Sequence, residues 1–196
     1  MILLGRNLSP FVRRVSLALD ILGLSYDQRP LSTADDRAEI LKYNPVGRVP
    51  VLIFDDGRTV IDSHAIFDAL ERHFDRKHPF FPQEPELRDR MLFSDALAVA
   101  GMEKLVLWFY ETTRRDPKHY SETATAEYAS SMAEAMRALS RRITPSGLLC
   151  GDEVTMADVT TAAFIRITRD VRSELIPDDV GELNTLADRV FALAGE

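Results

Sequence analysis

The chain has 196 residues, 45% apolar and 28% charged, enough for one large or two small domains with a sizeable buried core. Its formal net charge of −7 is uneven: residues 1–80 carry 11 Lys+Arg against 11 Asp+Glu, residues 81–196 carry 13 against 20. That asymmetry hints at two parts and argues against nucleic acid, which needs a basic face. The one cysteine, Cys150, excludes an internal disulfide framework and any multi-cysteine metal site.

The opening MILL is a short apolar run bounded by Gly5 and reads as a buried strand. It has no cationic lead and no small-residue cleavage site, so no signal peptide is expected. From Pro10, apolar residues at Val12, Val15, Leu19 and Leu22 fall at helical spacing, and Gly23 is a good stop. LSYDQRPL reads as a second strand. TADDRAEILKYN reads as a short helix with acids in its first turn, where the helix dipole favours them. VPVLIFDDGRTVID is two apolar runs around the turn Asp56-Gly57, a hairpin signal. A helix then starts at Ser63, with Ile66, Ala69, Leu70, His73 and Phe74 on one face.

The order β-α-β-α-β-β-α, with parallel pairing in the strand–helix–strand units and an antiparallel edge from the hairpin, gives an α/β part over residues 1–76. DRKHPFFPQEPE holds three prolines and reads as a linker over 77–86. Residues 87–196 show no strand signal and read as an all-α bundle. Its helices are expected over 86–113, with a bend near Gly101, and over 122–143, 156–172 and 182–194. PSGLLCGDE is a loop. No apolar run approaches the ~18 residues of a membrane span. A cytoplasmic protein is expected.

Three stretches carry candidate chemistry. In NLSPFVRRV, Ser9 is a good N-cap and Pro10 suits the first helical position. A helix N-terminus lowers the pKa of a nearby thiol, and a serine hydroxyl there can donate to a sulfur anion. In NPVGRVPVL, a cis bond at Val49-Pro50 would turn the Val49 backbone outward, free to pair with an extended peptide. Arg48 could reach a carboxylate. In VIDSHAIFDAL, Asp62 and Ser63 sit where a strand meets a helix. Either is an ordinary N-cap. Together with the free N–H groups they also suit a ligand with ammonium and carboxylate ends, Asp62 taking the ammonium and Ser63 the carboxylate.

These stretches, in this order, resemble the cytosolic glutathione transferases, whose thioredoxin-like domain is joined to a helical domain. SPFVRRV resembles the catalytic-serine start of the first helix in the serine-type classes. NPVGRVPVL resembles the family's cis-proline loop, and DSHAI the acid–serine pair that holds the γ-glutamyl group. GDEVTMADVTTA resembles the buried capping motif of the family, with Thr155 as N-cap, Asp158 at N3, and Val154 and Val159 as a staple.

The resemblance implies a transferase, bacterial in style, that activates the glutathione thiol for attack on a small hydrophobic electrophile, with a role in detoxification. Ser9 would donate to the sulfur. Val49, ahead of Pro50, would pair with the cysteinyl unit, and Asp62 and Ser63 would hold the γ-glutamyl end. Arg48, or more weakly Lys42, would meet the glycyl carboxylate. Arg14 would be structural or substrate-steering. Phe11, Trp108 and Phe109 would line the electrophile pocket, although the neighbouring Trp108, Phe109 and Tyr110 cannot all face one cavity. Glutathione is the co-substrate, no metal is implied, and a homodimer is expected.

No cysteine lies near Ser9, so the reductase-like classes are not expected, and no tyrosine lies near the end of the first strand. Residues 182–194 read as the last helix, and no long tail to cover the second substrate is expected. A non-catalytic binding or regulatory protein of this fold stays open, as does a glutathione-dependent isomerase or dehalogenase using the same site. His64, His73, His78 and His119 make no metal-ligand spacing, and His73 reads as a packed histidine. TRRDPK reads as a solvated loop and Cys150 as a small buried hydrophobe.

Overall fold

The computed structural model describes residues 1–74 and 80–195. The chain divides into two compact units, 1–80 with 191–196, and 81–190. The sequence-based boundaries had placed the divide at a linker over 77–86. His78 and residues 77–79 of that linker lie outside the described residues, and a helix already begins at Pro85.

In the first unit, β1 (Ile2–Leu4) forms because three apolar residues in a row can be buried in the middle of a sheet. Leu3 and Leu4 are fully buried. α1 (Pro10–Ile21) follows, capped by Ser9 and opened by Pro10. It ends in a Schellman turn: the Gly23 N–H donates to the Asp20 carbonyl and the Leu24 N–H to the Leu19 carbonyl. Gly23 supplies the positive φ, +65°, that this turn requires.

β2 (Asp27–Arg29) is short and largely exposed. α2 is one turn, Arg37–Ile40, much shorter than the helix expected from TADDRAEILKYN. The reason lies in Ser32 and Asp36. The Ser32 hydroxyl accepts from the Ala34 and Asp35 N–H groups, and the Asp36 carboxylate accepts from the Ser32 N–H at 2.8 Å. Side chains that satisfy the backbone locally hold residues 32–36 in a turn. β3 (Val51–Ile53), β4 (Thr59–Ile61) and α3 (Ser63–His73) complete the unit.

The sheet order is β2-β1-β3-β4. β1 and β2 are parallel; β3 is antiparallel to both β1 and β4. The strand–helix–strand unit β2–α2–β3 therefore does not return a parallel strand as expected, because β3 enters reversed beside β1.

The second unit is helical: α4 (Pro85–Thr113), α5 (Glu122–Ser140), α6 (Met156–Arg172) and α7 (Gly181–Leu193), the last ending in the first unit. Single 3₁₀ turns stand at Pro117–His119 and Ser173–Leu175. α6 is the central helix, buried almost all round from Met156 to Ile165. α4 runs as one helix through Gly101, where the Phe164 ring of α6 fills the space of a side chain.

The Asp158 carboxylate at the start of α6 is fully buried. It accepts from the Thr155 N–H at 2.8 Å, the Thr155 hydroxyl at 2.7 Å and the Leu149 N–H at 2.8 Å. The capping box read from GDEVTMAD is thus present and also ties the preceding loop to the helix. Burial pushes the Asp158 carboxyl above its ordinary range, against the pull of those donors. None of the described helices is long and apolar enough to cross a membrane.

Candidate functional site

Sheet register decides what lies together. Arg29, Leu4, Val51 and Ile61 form one row across the four strands. β1 and β4 end at this row and β3 begins there. Three segments therefore leave the sheet at the same edge: Gly5 toward Ser9 and α1, Val49-Pro50 ahead of β3, and Asp62-Ser63 opening α3.

Gly5 brings two of them into contact. A Cβ at Gly5 would collide with Val12 of α1 and would stand 3.0 Å from the Val49 Cβ. Its φ of +126° is one that L side chains rarely adopt. Glycine lets the first turn of α1 and the Val49 loop approach each other. The Val49-Pro50 peptide is cis, as expected from NPVGRVPVL.

The loop before it is shaped by Asn44, whose role the sequence reading missed. The buried Asn44 side chain accepts from the Val46 N–H at 3.0 Å and donates to the Arg48 carbonyl at 2.9 Å. This is an Asx-turn, and the run Asn-Pro-Val-Gly carried its signal.

Ser9 is the N-cap of α1, and its Oγ accepts from the Val12 N–H at 3.4 Å. That contact is long and uses only an acceptor lone pair. The hydroxyl proton keeps its capacity to donate. Capping and chemistry are compatible at this residue.

Asp62, not Ser63, caps α3. It has a positive φ of +73°, and its Oδ1 accepts from the N–H groups of His64 at 2.8 Å and Ala65 at 3.5 Å. The carboxylate thus takes N–H groups that the sequence reading offered to a ligand's carboxylate. Asp62 remains exposed, whereas Ser63 is buried, and the guanidinium of Arg14 donates to the Ser63 Oγ at 3.4 Å. Arg14 is itself buried, stacked on the Phe67 ring at 4.9 Å. It is a positioning residue that links α1 to the start of α3. The signal was its ridge on α1, shared with Pro10, Leu17, Ala18 and Ile21, which should bury it.

Arg48 and Lys42 are both exposed. Lys42 pairs with Glu39 one turn earlier, which raises its pKa. Arg48 has no ion pair among the described residues. Phe11 is half-buried in the first turn of α1, in the first unit; Trp108 and Phe109 belong to α4 in the second. Trp108 lines a groove and Phe109 does not, in line with consecutive helical residues facing different ways.

His73 corrects an expectation. It is exposed, edge-on to Phe54, with Nε2 2.6 Å from an Arg58 guanidinium nitrogen. Helical spacing put it on the apolar face, but it sits in the last turn of α3, where the core has run out. In TRRDPK, Arg114 lies over the Tyr110 ring and Arg115 bridges to Glu111. Cys150 is buried, its thiol pushed up to about 11 by desolvation and the nearby Asp158. No His/Cys/Asp/Glu cluster able to hold a metal occurs among the described residues.

Comparison with known proteins bears on the same part of the chain. Residues 3–78 match the family model described as glutathione S-transferase, N-terminal domain. Glutathione S-transferase U6 of Arabidopsis thaliana is 32% identical over 105 residues, 53% of this chain and 45% of that protein. The chain thus spans less than half the length of this curated relative. A glutathione S-transferase of Methylobacterium radiotolerans, solved with glutathione sulfonate, superposes with a TM-score of 0.87 at 24% identity, covering 97% of this chain and 90% of that one. Another, of Methylobacillus flagellatus with glutathione bound, gives 0.86 at 20%, covering 96% and 93%. At these identities the structural matches establish the fold, a thioredoxin-like unit followed by a helical one.

Proposed function

We propose that this protein, whose residues 3–78 match the family model described as glutathione S-transferase, N-terminal domain, is a serine-type glutathione transferase. The observation that carries it is the common sheet edge at which Ser9, Val49 and Asp62-Ser63 emerge. Such an edge offers a tripeptide thiol a donor for its sulfur, a backbone to pair with and an acid for its ammonium. The reading further comprises a cytoplasmic homodimer, bacterial in style, with a role in detoxification. Structures of similar fold that hold glutathione or its sulfonate support the choice of ligand.

Glutathione lies along this edge with its cysteinyl unit on the N–H and C=O of Val49. Its ammonium meets Asp62 and the adjoining carboxylate the start of α3 at Ser63. Arg48 takes the glycyl carboxylate in preference to Lys42, whose ammonium is already committed to Glu39. The thiol points at Ser9. A free thiol has a pKa of ~8.5, so only a few per cent is thiolate at neutral pH.

The Ser9 hydroxyl donates to the sulfur anion, and the positive end of α1 favours it further. Lowering the pKa by about two units favours the thiolate by ~2.7 kcal/mol. The thiolate then forms a carbon–sulfur bond to an electrophilic carbon, whose leaving group departs with its electron pair. Positioning of the electrophile supplies the rest of the rate gain.

The test is the ultraviolet difference absorbance of bound glutathione against pH, in wild type and Ser9→Ala. A thiolate signal well below the free-thiol pKa, lost in a folded variant, is the expected result. An unchanged thiolate pKa in the variant would reduce Ser9 to a helix cap. Binding with no shifted pKa in wild type would make the protein a carrier or regulator.

A further inference from the structure

The short strand β2 holds a polar side chain at its most covered place. Asp27 and Arg29 are exposed, whereas Gln28 between them is half-buried, in register with the fully buried Leu3 of β1. An inward place on a strand is ordinarily apolar, because a polar group withdrawn from water costs free energy unless it is hydrogen-bonded. Gln28 directs its hydrogen bonds to one neighbour, the segment between β1 and α1. Its Nε2 donates to the Gly5 carbonyl at 3.0 Å and to the Asn7 Oδ1 at 2.7 Å.

The acceptors fix which way these amides face. A backbone carbonyl only accepts, so the nitrogen of Gln28, not its oxygen, must face Gly5. Both N–H groups of that nitrogen are then used, and Asn7 must offer its oxygen. The backbone pairing of β1 with β2 reaches as far as Gly5, whose N–H donates to the Arg29 carbonyl at 2.9 Å. The Gln28 side chain extends that attachment two residues further, to Asn7. The segment there folds into a single turn: the Ser9 N–H donates to the Arg6 carbonyl at 2.9 Å, with Asn7 and Leu8 at the turn's centre. Gln28 therefore holds the entry and the centre of the turn whose last residue is Ser9.

Resting on the assignment of Ser9 to the glutathione sulfur, we propose that Gln28 is a positioning residue that sets where the Ser9 hydroxyl stands. The Ser9 Oγ itself is held by one long contact among the described residues, from the Val12 N–H at 3.4 Å. Its place therefore depends on the turn that leads to it. A misplacement of about 1 Å is enough to lose most of the effect of a positioned group. Val49 and Asp62-Ser63 flank β3 and β4, on one side of β1, and Gln28 lies in β2 on the other. Loss of Gln28 thus acts on the sulfur and leaves the peptide-binding groups in place.

The experiment reads the sulfur and the peptide separately in the full chain. Ultraviolet difference absorbance against pH gives the thiol pKa of bound glutathione. Calorimetry gives the affinity for S-methylglutathione, which has the peptide but no thiol. Gln28→Leu and the isosteric Gln28→Glu both remove the two donors. Each should raise the bound thiol pKa by about one unit, roughly a tenfold loss of thiolate at neutral pH, with S-methylglutathione affinity within about twofold of wild type. Asn7→Ala, which removes one acceptor and leaves β2 intact, should raise it by about half as much. A thiol pKa unchanged in the Gln28 variants, while Ser9→Ala raises it, overturns the proposal and leaves the role of Ser9 standing. Equal losses of thiolate and of S-methylglutathione affinity overturn it too, because they mark a merely structural residue. No lowered thiol pKa in wild type removes the role of Ser9 and that of Gln28 with it. Where circular dichroism shows the Gln28 variants unfolded, Asn7→Ala decides, and an unchanged thiol pKa there overturns the proposal.

Discussion

Replacing Asp158 by alanine removes the acceptor for three donors at once. In the folded protein Asp158 Oδ1 takes the Leu149 N–H, and Oδ2 takes both the N–H and the hydroxyl of Thr155. Thr155 and Leu149 are buried with it, so water does not replace the lost acceptor. The Thr155 hydroxyl can rotate toward another partner; the two backbone N–H groups cannot. Each orphaned buried N–H costs about 1–3 kcal/mol. The variant also escapes the desolvation that raises the Asp158 carboxyl. The net loss is therefore placed at ~3 kcal/mol, nearer the lower end of the sum. For a chain of this size that lowers Tm by roughly 6–12 °C.

The assay is urea unfolding followed by circular dichroism and by Trp108 fluorescence, which reports on α4 of the same helical unit. Asp158→Asn keeps one carbonyl oxygen as acceptor and should lose about half as much. A loss under ~1 kcal/mol for alanine would refute the reasoning, because it would mean the donors find other partners.

Gly101→Ala puts a Cβ 2.5 Å from the Phe164 Cζ; it should cost about 1–3 kcal/mol in urea unfolding despite alanine's better helix propensity, with Phe164→Leu restoring part of the loss. Cys150 should resist thiol reagents in the native state, since a pKa of about 11 leaves ~0.1% thiolate at pH 8; reaction with an aromatic disulfide reagent at the rate of free cysteine would contradict this. Because the folded pKa of this acid is raised, its contribution is fully present below the unfolded value and is lost as pH climbs from 9.0 to about 11. Stability should fall by up to about 2–3 kcal/mol across that window, and Cys150→Ala should flatten the slope. Gly5→Ala should weaken glutathione binding tenfold or more by forcing Val49 and α1 apart, as measured by calorimetry on folded variant protein.

The elements that the sequence disclosed are those whose signal is local. Ser9-Pro10 and Gly23 bracket α1, Thr155 and Asp158 open α6, and Asp56-Gly57 turns the hairpin, because caps and turns are written in a few adjacent residues. α2 was overdrawn because Ser32 and Asp36 satisfy the backbone in a turn, a competition that apolar periodicity does not register. His73 was placed by period alone, but burial on a helix face ends where the partner surface ends. Arg14, expected from the resemblance to be structural or substrate-steering, sits in a structural position: its ridge on α1 is covered, and the guanidinium lies over the Phe67 ring and donates to Ser63.

The reversal of β3 is the feature on which the candidate site depends. Were β3 parallel to β1, Val49-Pro50 would enter at the far end of a three-residue strand, roughly 10 Å from Gly5 at ~3.3 Å per residue. A single residue of an extended peptide, spanning only ~3.3–3.6 Å, could not then pair with the Val49 backbone and reach Ser9 with its side chain. The observed register sets Leu4 against Val51 and Val51 against Ile61, so the last residue of β1, the first of β3 and the last of β4 share one row. Gly5 then removes the side chain that would hold Val12 and Val49 apart, and Arg14 binds α1 to the start of α3. No single motif among SPFV, NPVGRVP and DSHAI encodes that meeting. It arises from strand direction, which is decided by long-range pairing, and from one glycine whose importance lies in what it lacks.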